Sequence, residues 1–184
     1  LKNTLLDVKQ VLFTDNAYTE GKVDFPKTET AIRHKVAELV QSGFVITQGF
    51  VGCTPEGFAT TLGREGSDYT ASIFAYSLNA ERMTVWKDVE GIMNADPKEF
   101  PDAQFISELT FHEAIEMTYY GASVIHPKTI KPIQNKNIPL EVRSFVDSSK
   151  RGSVISANAN TNFLPPIIIW KRGQVLLSFS AKDF

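Results

Sequence analysis

The chain has 184 residues, the usual length of one domain or slightly more. Its 19 basic and 21 acidic residues give a net charge of −2, which excludes nucleic-acid binding through a strongly basic face. The apolar share of 42% and the charged share of 22% are typical of a globular chain. No apolar run reaches the roughly 20 residues of a membrane span, and a single cysteine, Cys53, excludes a disulfide framework and fits a reducing cytoplasm.

The first part of the chain is predicted to form strand, loop, helix and strand. Residues 8–13 are taken as a strand, and residues 14–26 as a loop rich in turn residues. Apolar residues then recur at helical spacing, with Thr28 as the N-cap of a helix that ends near residue 43. The β-branched run at residues 44–48 predicts a buried strand.

The middle of the chain is predicted to alternate in the same way. Residues 58–62 are extended, residues 69–78 form a helix rich in alanine and serine, and residues 82–87 form a strand. The stretch 88–106 is expected to be loop. Because it exceeds the usual loop length, we expect it to contribute to a site.

The end of this alternating region is predicted to contain two helices and two strands. Thr110 and Glu113 have the spacing of a capping box before a helix at 111–120, and Pro127 opens a helix that runs to about residue 135. The strands are placed at 138–144 and 153–155.

Strand and helix alternate over residues 1–155, which predicts an α/β fold with helices on the faces of a mostly parallel sheet. The composition then changes. Residues 157–166 are polar and end in two prolines, so they are interpreted as a linker. Two further strands are predicted, at 167–170 and 174–179.

The glycine-containing loop before the second predicted helix has the strongest chemical pattern. Gly63 and Gly66 leave backbone N–H groups uncovered, and Ser67 is the predicted cap of the helix. With the partial positive charge of a helix N-terminus, these residues predict a site for a phosphate or a carboxylate. Arg64 would add a bidentate donor, and Asp68 is the one strong base there. No lysine follows the glycines, so the loop is not a P-loop, and a tight helix cap without a ligand is the simpler alternative.

A second polar group lies at the end of the strand at 82–87. Lys87 and Asp88 close the strand, a glycine turn follows, and Lys98 comes in the next loop. Ligands of parallel sheets bind beyond the carboxyl ends of the strands. The pattern therefore predicts a ligand pocket, with a solvated loop rim as the alternative.

The histidines and the cysteine predict no metal site. His34, His112 and His126 lie far apart and have no zinc-binding spacing. His126 precedes Pro127 and is interpreted as a hydrogen-bonded structural residue, while Cys53 is interpreted as a packing residue.

Four segments, taken in order, resemble the aspartokinases of the amino-acid kinase family. They are GFVITQGFVG at 43–52, TTLGREGSDYTA at 60–71, VWKDVEGI with DPK at 85–98, and FHEAIEMTYYGASVIHPKT at 111–129. The resemblance runs from about Leu6 to Ile155. It implies a three-layer αβα sandwich with a mostly parallel sheet. It also implies transfer of the γ-phosphoryl group of ATP to the β-carboxylate of L-aspartate.

The resemblance further implies a role for each matching residue. Asp68 would be the catalytic residue, because it organises the active-site lysine and the transferring phosphoryl group. Aspartate would be bound by Arg64, Glu65, Gly66 and Ser67. The nucleotide would be bound by Lys87, Asp88, Met93, Lys98, Ser123 and Val124. ATP would act with Mg²⁺ held largely by its phosphates, and phosphoryl transfer needs no side-chain nucleophile.

The chain departs from the family pattern in its nucleotide segments. The family has threonine, tyrosine, arginine and lysine at four positions where this chain has Lys87, Met93, Lys98 and Ser123. One position gains a positive charge and another loses one. Lys87 is therefore predicted to supply the phosphate-facing charge that Ser123 lacks.

The resemblance implies that the chain is part of a longer protein. Residues 1–156 would be the C-terminal, nucleotide-binding part of a kinase domain, residues 157–166 a linker, and residues 167–184 the first strands of an ACT-like α+β regulatory domain. The family's K-x-G-G-T-S strand does not occur, so this chain alone is expected not to phosphorylate aspartate. The full-length protein would be a cytoplasmic homo-oligomer with allosteric lysine or threonine.

Two other functions stay open on the sequence alone. The first is another amino-acid kinase that acts on a different carboxylate or on UMP, against which the run LGREGSDY argues. The second is a non-catalytic regulatory module that binds an amino acid but no nucleotide. No nucleic-acid or membrane partner is expected.

Overall fold

The structure is a computed structural model that describes residues 2–120, 125–162, 164–175 and 177–179, with residues 119 and 120 described by their backbone alone. The strands are β1 (Asn3–Leu6), β2 (Phe44–Thr47), β3 (Val51–Cys53), β4 (Ala59–Thr61), β5 (Met83–Lys87), β6 (Ile92–Met93), β7 (Phe105–Ile106), β8 (Glu108–Leu109), β9 (Leu140–Ser144) and β10 (Ser153–Ile155). The helices are α1 (Phe25–Ser42), α2 (Gly66–Leu78), α3 (Phe111–Tyr120) and α4 (Pro127–Gln134).

The strands form one larger sheet and three strand pairs. The larger sheet has the order β5-β9-β10-β8, in which β5 and β9 are parallel, β9 and β10 antiparallel, and β10 and β8 parallel. A separate parallel pair joins β1 to β2, and two antiparallel pairs join β3 to β4 and β6 to β7. The α/β class with a mostly parallel sheet is therefore confirmed.

Helix α2 lies between two apolar cores. One core joins the larger sheet to α3 and α4, with Leu140 and Ile155 of the strands packed near Ile130 and Ile133 of α4. The other core joins α1 to α2, and Ile73 of α2 is fully buried in it. Because both cores hold α2, its N-terminal turn has a fixed position relative to the end of β5.

The predicted strand at residues 8–13 is wrong in its type. Val8–Gln10 is a 3₁₀ turn, and the carboxylate of Asp7 accepts the N–H of Lys9 at 3.1 Å. Val11 is fully buried together with Val8, three residues before it. The apolar run is buried at turn spacing rather than at strand spacing, which a short run does not distinguish.

The start of α1 and the burial of β2 also differ from the expectation. The helix begins at Phe25 with Asp24 as its N-cap, while the buried hydroxyl of Thr28 accepts the N–H of Phe13 at 3.0 Å. Strand β2 is present, but Phe44 and Ile46 are 59% and 54% exposed. Only alternate residues of β2 face α1, because side chains alternate along a strand.

The capping box at α3 is confirmed. The carboxylate of Glu113 accepts the N–H of Thr110 at 2.8 Å, and the N–H of Glu113 donates to the Thr110 hydroxyl at 3.2 Å. The stretch 88–106, predicted as loop, contains the hairpin β6–β7, whose strands are too short to be recognised from a pattern.

The strands predicted at 167–170 and 174–179 are not found among the described residues of that region. The backbone at Ile168 donates to the carbonyl of Asn94 instead of to a strand partner. The division into residues 1–156, 157–166 and 167–184 stays a prediction. None of the helices described is long and apolar enough to cross a membrane.

Candidate nucleotide and carboxylate site

The glycine-containing loop leads directly into the N-terminus of α2. Gly63 has a φ of +73° and Glu65 a φ of +53°, so both have left-handed backbone conformations. The helix begins at Gly66, three residues earlier than predicted, and Glu65 is its N-cap without a side-chain capping bond. Ser67 is therefore not the cap but an exposed residue of the first turn. The first N–H groups of the helix are left uncapped by side chains, as an anion site requires.

A bend at residues 49–50 packs against the N-terminal turn of α2 and is hydrogen-bonded to it. The N–H of Phe50 donates to the Thr70 hydroxyl at 3.0 Å, and that hydroxyl donates to the carbonyl of Gly66 at 2.7 Å. A Cβ at Gly49 would lie 2.9 Å from the Cα of Ser67, so only glycine allows this approach. The loop is therefore held in place before any ligand binds.

Arg64 is exposed and makes no ion pair or hydrogen bond within the described part of the chain. Its guanidinium is thus available for a carboxylate or a phosphate. Glu65 has one carboxylate oxygen that is buried without a partner among those same residues. The loop therefore offers both a cation and an unsatisfied carboxylate oxygen.

An ion pair joins this loop to the end of β5. The ammonium of Lys87 donates to the carboxylate of Asp68 at 2.7 Å, and the two side chains are 27% and 19% exposed. A charge-assisted bond in a partly buried setting is stronger than a bond between surface groups. It brings together the two polar motifs that the sequence placed nineteen residues apart.

A cavity of about 520 Å³ lies next to this ion pair, because Asp88, which follows Lys87 in the sequence, lines it. Its wall is formed by the stretch after β5, by α3, by Ile125, by Ile155 of β10, and by residues 168–170. Of the predicted nucleotide residues, Asp88, Met93 and Lys98 line the cavity. Lys87 lies beside it and binds Asp68, while Ser123 and Val124 lie outside the described residues.

The cavity has an apolar lining and a charged rim. Ile92, Met117 and Ile155 contribute apolar surface, and the rim carries more carboxylates than cations: Asp88, Glu90 and Asp96 against Lys98. Within the described ranges, no group of three potential metal ligands is found. A phosphate at this rim would therefore need to bring its own cation.

The N-terminal turn of α4 contacts the residue that precedes the glycine-containing loop. His126 caps α4, with its Nδ1 accepting the N–H of Lys128 at 3.1 Å, so its predicted structural role is confirmed. The ammonium of Lys128 donates to the carbonyl of Leu62 at 2.7 Å and lies 4.8 Å from the ring centre of Tyr69. Burial raises the pKa of Tyr69 above its ordinary value, so its hydroxyl stays neutral. Nothing in the sequence around Lys128 predicts these contacts with Leu62 and Tyr69.

An anion loop at a helix N-terminus, placed beside a nucleotide-sized cavity at strand ends, is typical of an α/β phosphotransferase. The model of the amino acid kinase family matches residues 4–144, and the chain belongs to this family.

Several aspartokinases are similar to this chain. Lysine-sensitive aspartokinase 3 of Escherichia coli is 36% identical over 172 residues, which cover 94% of this chain and 38% of that protein. A bifunctional aspartokinase/homoserine dehydrogenase of Arabidopsis thaliana is 38% identical over 152 residues, 82% of this chain and 16% of that protein. The crystal structure of Escherichia coli aspartokinase III with aspartate and ADP matches with a TM-score of 0.81 at 37% identity, over 84% of this chain and 35% of that one. The chain thus spans less than two-fifths of the length of these relatives.

Proposed function

We propose that this chain is the nucleotide-binding part of an aspartate kinase, which transfers the γ-phosphoryl group of ATP to the β-carboxylate of L-aspartate. The observation that carries the proposal is the ion pair between Lys87 and Asp68, which connects the glycine-containing loop to a cavity of about 520 Å³. The complex of the Escherichia coli relative with aspartate and ADP supports this pair of ligands.

The anion loop would hold L-aspartate. Arg64 would bind a carboxylate of the substrate, and Ser67 would donate a backbone N–H group from the uncapped helix end. Gly66 would line the site without a Cβ, because its own N–H already donates to the carbonyl of Gly63 at 3.2 Å. The buried, unpartnered carboxylate oxygen of Glu65 suits an ammonium group, which an amino acid provides.

The cavity would hold ATP. Its volume of about 520 Å³ lies within the range of small-ligand pockets, and its apolar lining suits a nucleotide base. The nucleotide contacts would come from Lys87, Asp88, Met93, Lys98, Ser123 and Val124. Because the described residues offer no three-ligand metal cluster, Mg²⁺ would be bound mainly by the phosphates.

Lys87 and Asp68 would act on the transferring group. Asp68 would hold the ammonium of Lys87 between ATP and aspartate. There the γ-phosphoryl group and the attacking carboxylate both carry negative charge. Phosphoryl transfer depends mainly on positioning and on charge stabilisation, so a prealigned cation is the expected contribution of the protein. Lys87 would thereby take over the charge that the family has at position 123.

The regulation and the setting of the whole protein are proposed from its relatives. The Escherichia coli relative is a lysine-sensitive aspartokinase, which supports lysine as an allosteric ligand, with threonine as the second candidate. We expect the ligand to bind an ACT-like domain that begins near residue 167, in a homo-oligomer located in the cytoplasm.

The experiment is a substrate screen with the intact protein. ADP formation is measured with L-aspartate, L-glutamate, N-acetylglutamate and UMP, and hydroxylamine traps any acyl phosphate. We expect ADP and a hydroxamate with L-aspartate alone. Asp102→Asn, in an exposed loop outside the cavity, is the matched control for any variant of Asp68. Turnover with UMP would contradict the proposal, and so would binding of amino acids without any nucleotide.

A further inference from the structure

The segment formed by residues 166–172 lies along the cavity, although its sequence reads as the end of a linker and the start of a regulatory domain. We call these residues the strap. Ile168, Ile169 and Trp170 line the cavity together with the stretch after β5. The strap therefore contributes side chains to a pocket whose other walls belong to the kinase fold.

Asn94, directly after β6, fastens the strap at two points and binds the β6–β7 hairpin at a third. Its backbone carbonyl accepts the N–H of Ile168 at 2.7 Å, and its side-chain amide donates to the carbonyl of Pro166 at 2.9 Å. The side-chain oxygen Oδ1 of Asn94 accepts the N–H of Gln104 at 2.6 Å, within the β6–β7 hairpin. Asn94 is only 8% exposed, so these bonds are protected from water.

A second connection lies at the far end of the strap. One guanidinium nitrogen of Arg172 lies 2.9 and 2.8 Å from the two carboxylate oxygens of Glu99. Asn94 directly follows Met93, and Glu99 directly follows Lys98. Asn94 and Glu99 are thus each adjacent in sequence to a residue that lines the cavity. The position of the strap is therefore coupled to the position of the cavity wall.

We infer that the strap is a wall of the nucleoside part of the nucleotide site, and that Trp170 contacts the base of the bound nucleotide while Asn94 positions Trp170. This inference rests on the proposed function. Trp170 lines the cavity and is 58% exposed, so its aromatic side chain is accessible to a flat ligand. The strap side chains that line the cavity are apolar, which suits a base rather than the phosphates.

The consequence is an energetic link between nucleotide binding and strap docking. A nucleotide that contacts Trp170 binds the docked form of the strap more tightly than the released form. By reciprocity, a change that releases the strap weakens nucleotide binding by the same factor. A domain that follows the strap in the full-length protein would therefore act on the nucleotide site without touching it.

The test measures dissociation constants of the intact protein for ATP and for inorganic tripolyphosphate, which lacks the base. Trp170→Ala should weaken ATP about tenfold and leave tripolyphosphate unchanged, because stacking on the base is lost. Phe58→Ala, an aromatic residue of similar exposure in a turn outside the cavity, is the control and should change neither constant.

Asn94→Asp tests the fastening. The carboxylate keeps the acceptor for Gln104 but loses the donor to Pro166, so the strap should be loosened while the backbone bond from Ile168 and the hairpin remain. We expect ATP to bind several-fold more weakly, with faster amide hydrogen exchange at Ile168, and tripolyphosphate to bind as before.

The outcomes separate this inference from the proposed function. If the unaltered protein binds ATP but Trp170→Ala binds it equally well, the strap inference is wrong and the function stands. Equal weakening of ATP and tripolyphosphate would also overturn the inference, because the effect would not involve the base. A protein that binds no ATP would contradict both.

Discussion

The anion loop and the cavity are built by different means. The loop and the carboxylate of Asp68 lie within six consecutive residues, 63–68, and the shape comes from left-handed backbone at Gly63 and Glu65. The cavity takes its walls from separate stretches between residues 88 and 170, and side chains close it. A site made by local backbone can be recognised from a short motif, whereas a site made by distant side chains cannot.

The two regions depend on one connection, the ion pair between Asp68 and Lys87. Removing the carboxylate of Asp68 should affect catalysis more than the binding of either ligand, because each ligand keeps its own wall. Removing Lys87 should also weaken ATP, because the proposed cation beside the phosphates is lost. The following predictions test this division, from the largest expected effect to the smallest, and all refer to the intact protein.

Asp68→Asn should have the largest effect. The amide keeps the size of the side chain but removes the charge that orients Lys87, so we expect kcat to fall about 10²–10³-fold with little change in either KM. Steady-state kinetics with L-aspartate and ATP check this, and Asp102→Asn should retain full activity. A change in KM with an unaltered kcat would mean that the carboxylate binds a substrate rather than organising the reaction.

Arg64→Ala should separate the two regions most clearly. Its guanidinium has no other partner within the described residues, so the variant loses only the contact with the substrate carboxylate. We expect the KM for aspartate to rise about 10–100-fold and the KM for ATP to change little. Arg151→Ala, also exposed, is the control. Equal rises in both KM values would show that the loop serves the nucleotide as well.

The sequence predicted the loop better than the cavity for physical reasons. Arg64, Gly66 and Asp68 are recognised because glycines and a helix start fix the local backbone. Ser67 as a cap was wrong, since the left-handed Glu65 starts the helix instead. The docking of the strap could not be predicted, because nothing in its own segment indicates the residue that binds it, which is Asn94, seventy-two residues before Pro166.

The elements of the fold also differ in how well the sequence predicts them. The helices and strands with long periodic runs, such as α3 and β5, were predicted almost to the residue. The short elements were not, since two-residue strands such as β6 exist only through their pairing with β7. The strands expected at 167–170 and 174–179 are not found among the described residues there for the converse reason, because an apolar run forms a strand only beside a partner.

Lys87→Thr should have an intermediate effect. The variant leaves Asp68 without its cation beside the phosphates, so we expect the KM for ATP to rise about tenfold. Adding Ser123→Lys should recover part of the loss, with a coupling of about 0.5–3 kcal/mol in a double-mutant cycle. Lys9→Thr, which removes an exposed lysine–aspartate pair elsewhere, is the control. If Ser123→Lys has the same effect with and without Lys87, the two positions are independent.

The smallest effect is expected at the far end of the strap. The pair between Arg172 and Glu99 is largely exposed, and such pairs contribute about 0–1 kcal/mol. Arg172→Glu should therefore weaken ATP binding only about two- to threefold. The binding is weakened because the introduced carboxylate is repelled by Glu99, which loosens the strap.

The reversed pair decides whether this weakening comes from the strap. Combining Arg172→Glu with Glu99→Arg restores opposite charges, so ATP binding should return to its original value while each single change weakens it. The same exchange at Arg82 and Glu141, a comparably exposed pair outside the cavity, should have no effect on ATP. Equal weakening by the single and double changes would mean that charge at the rim acts on the phosphates directly. The strap would then hold its place through Asn94 alone.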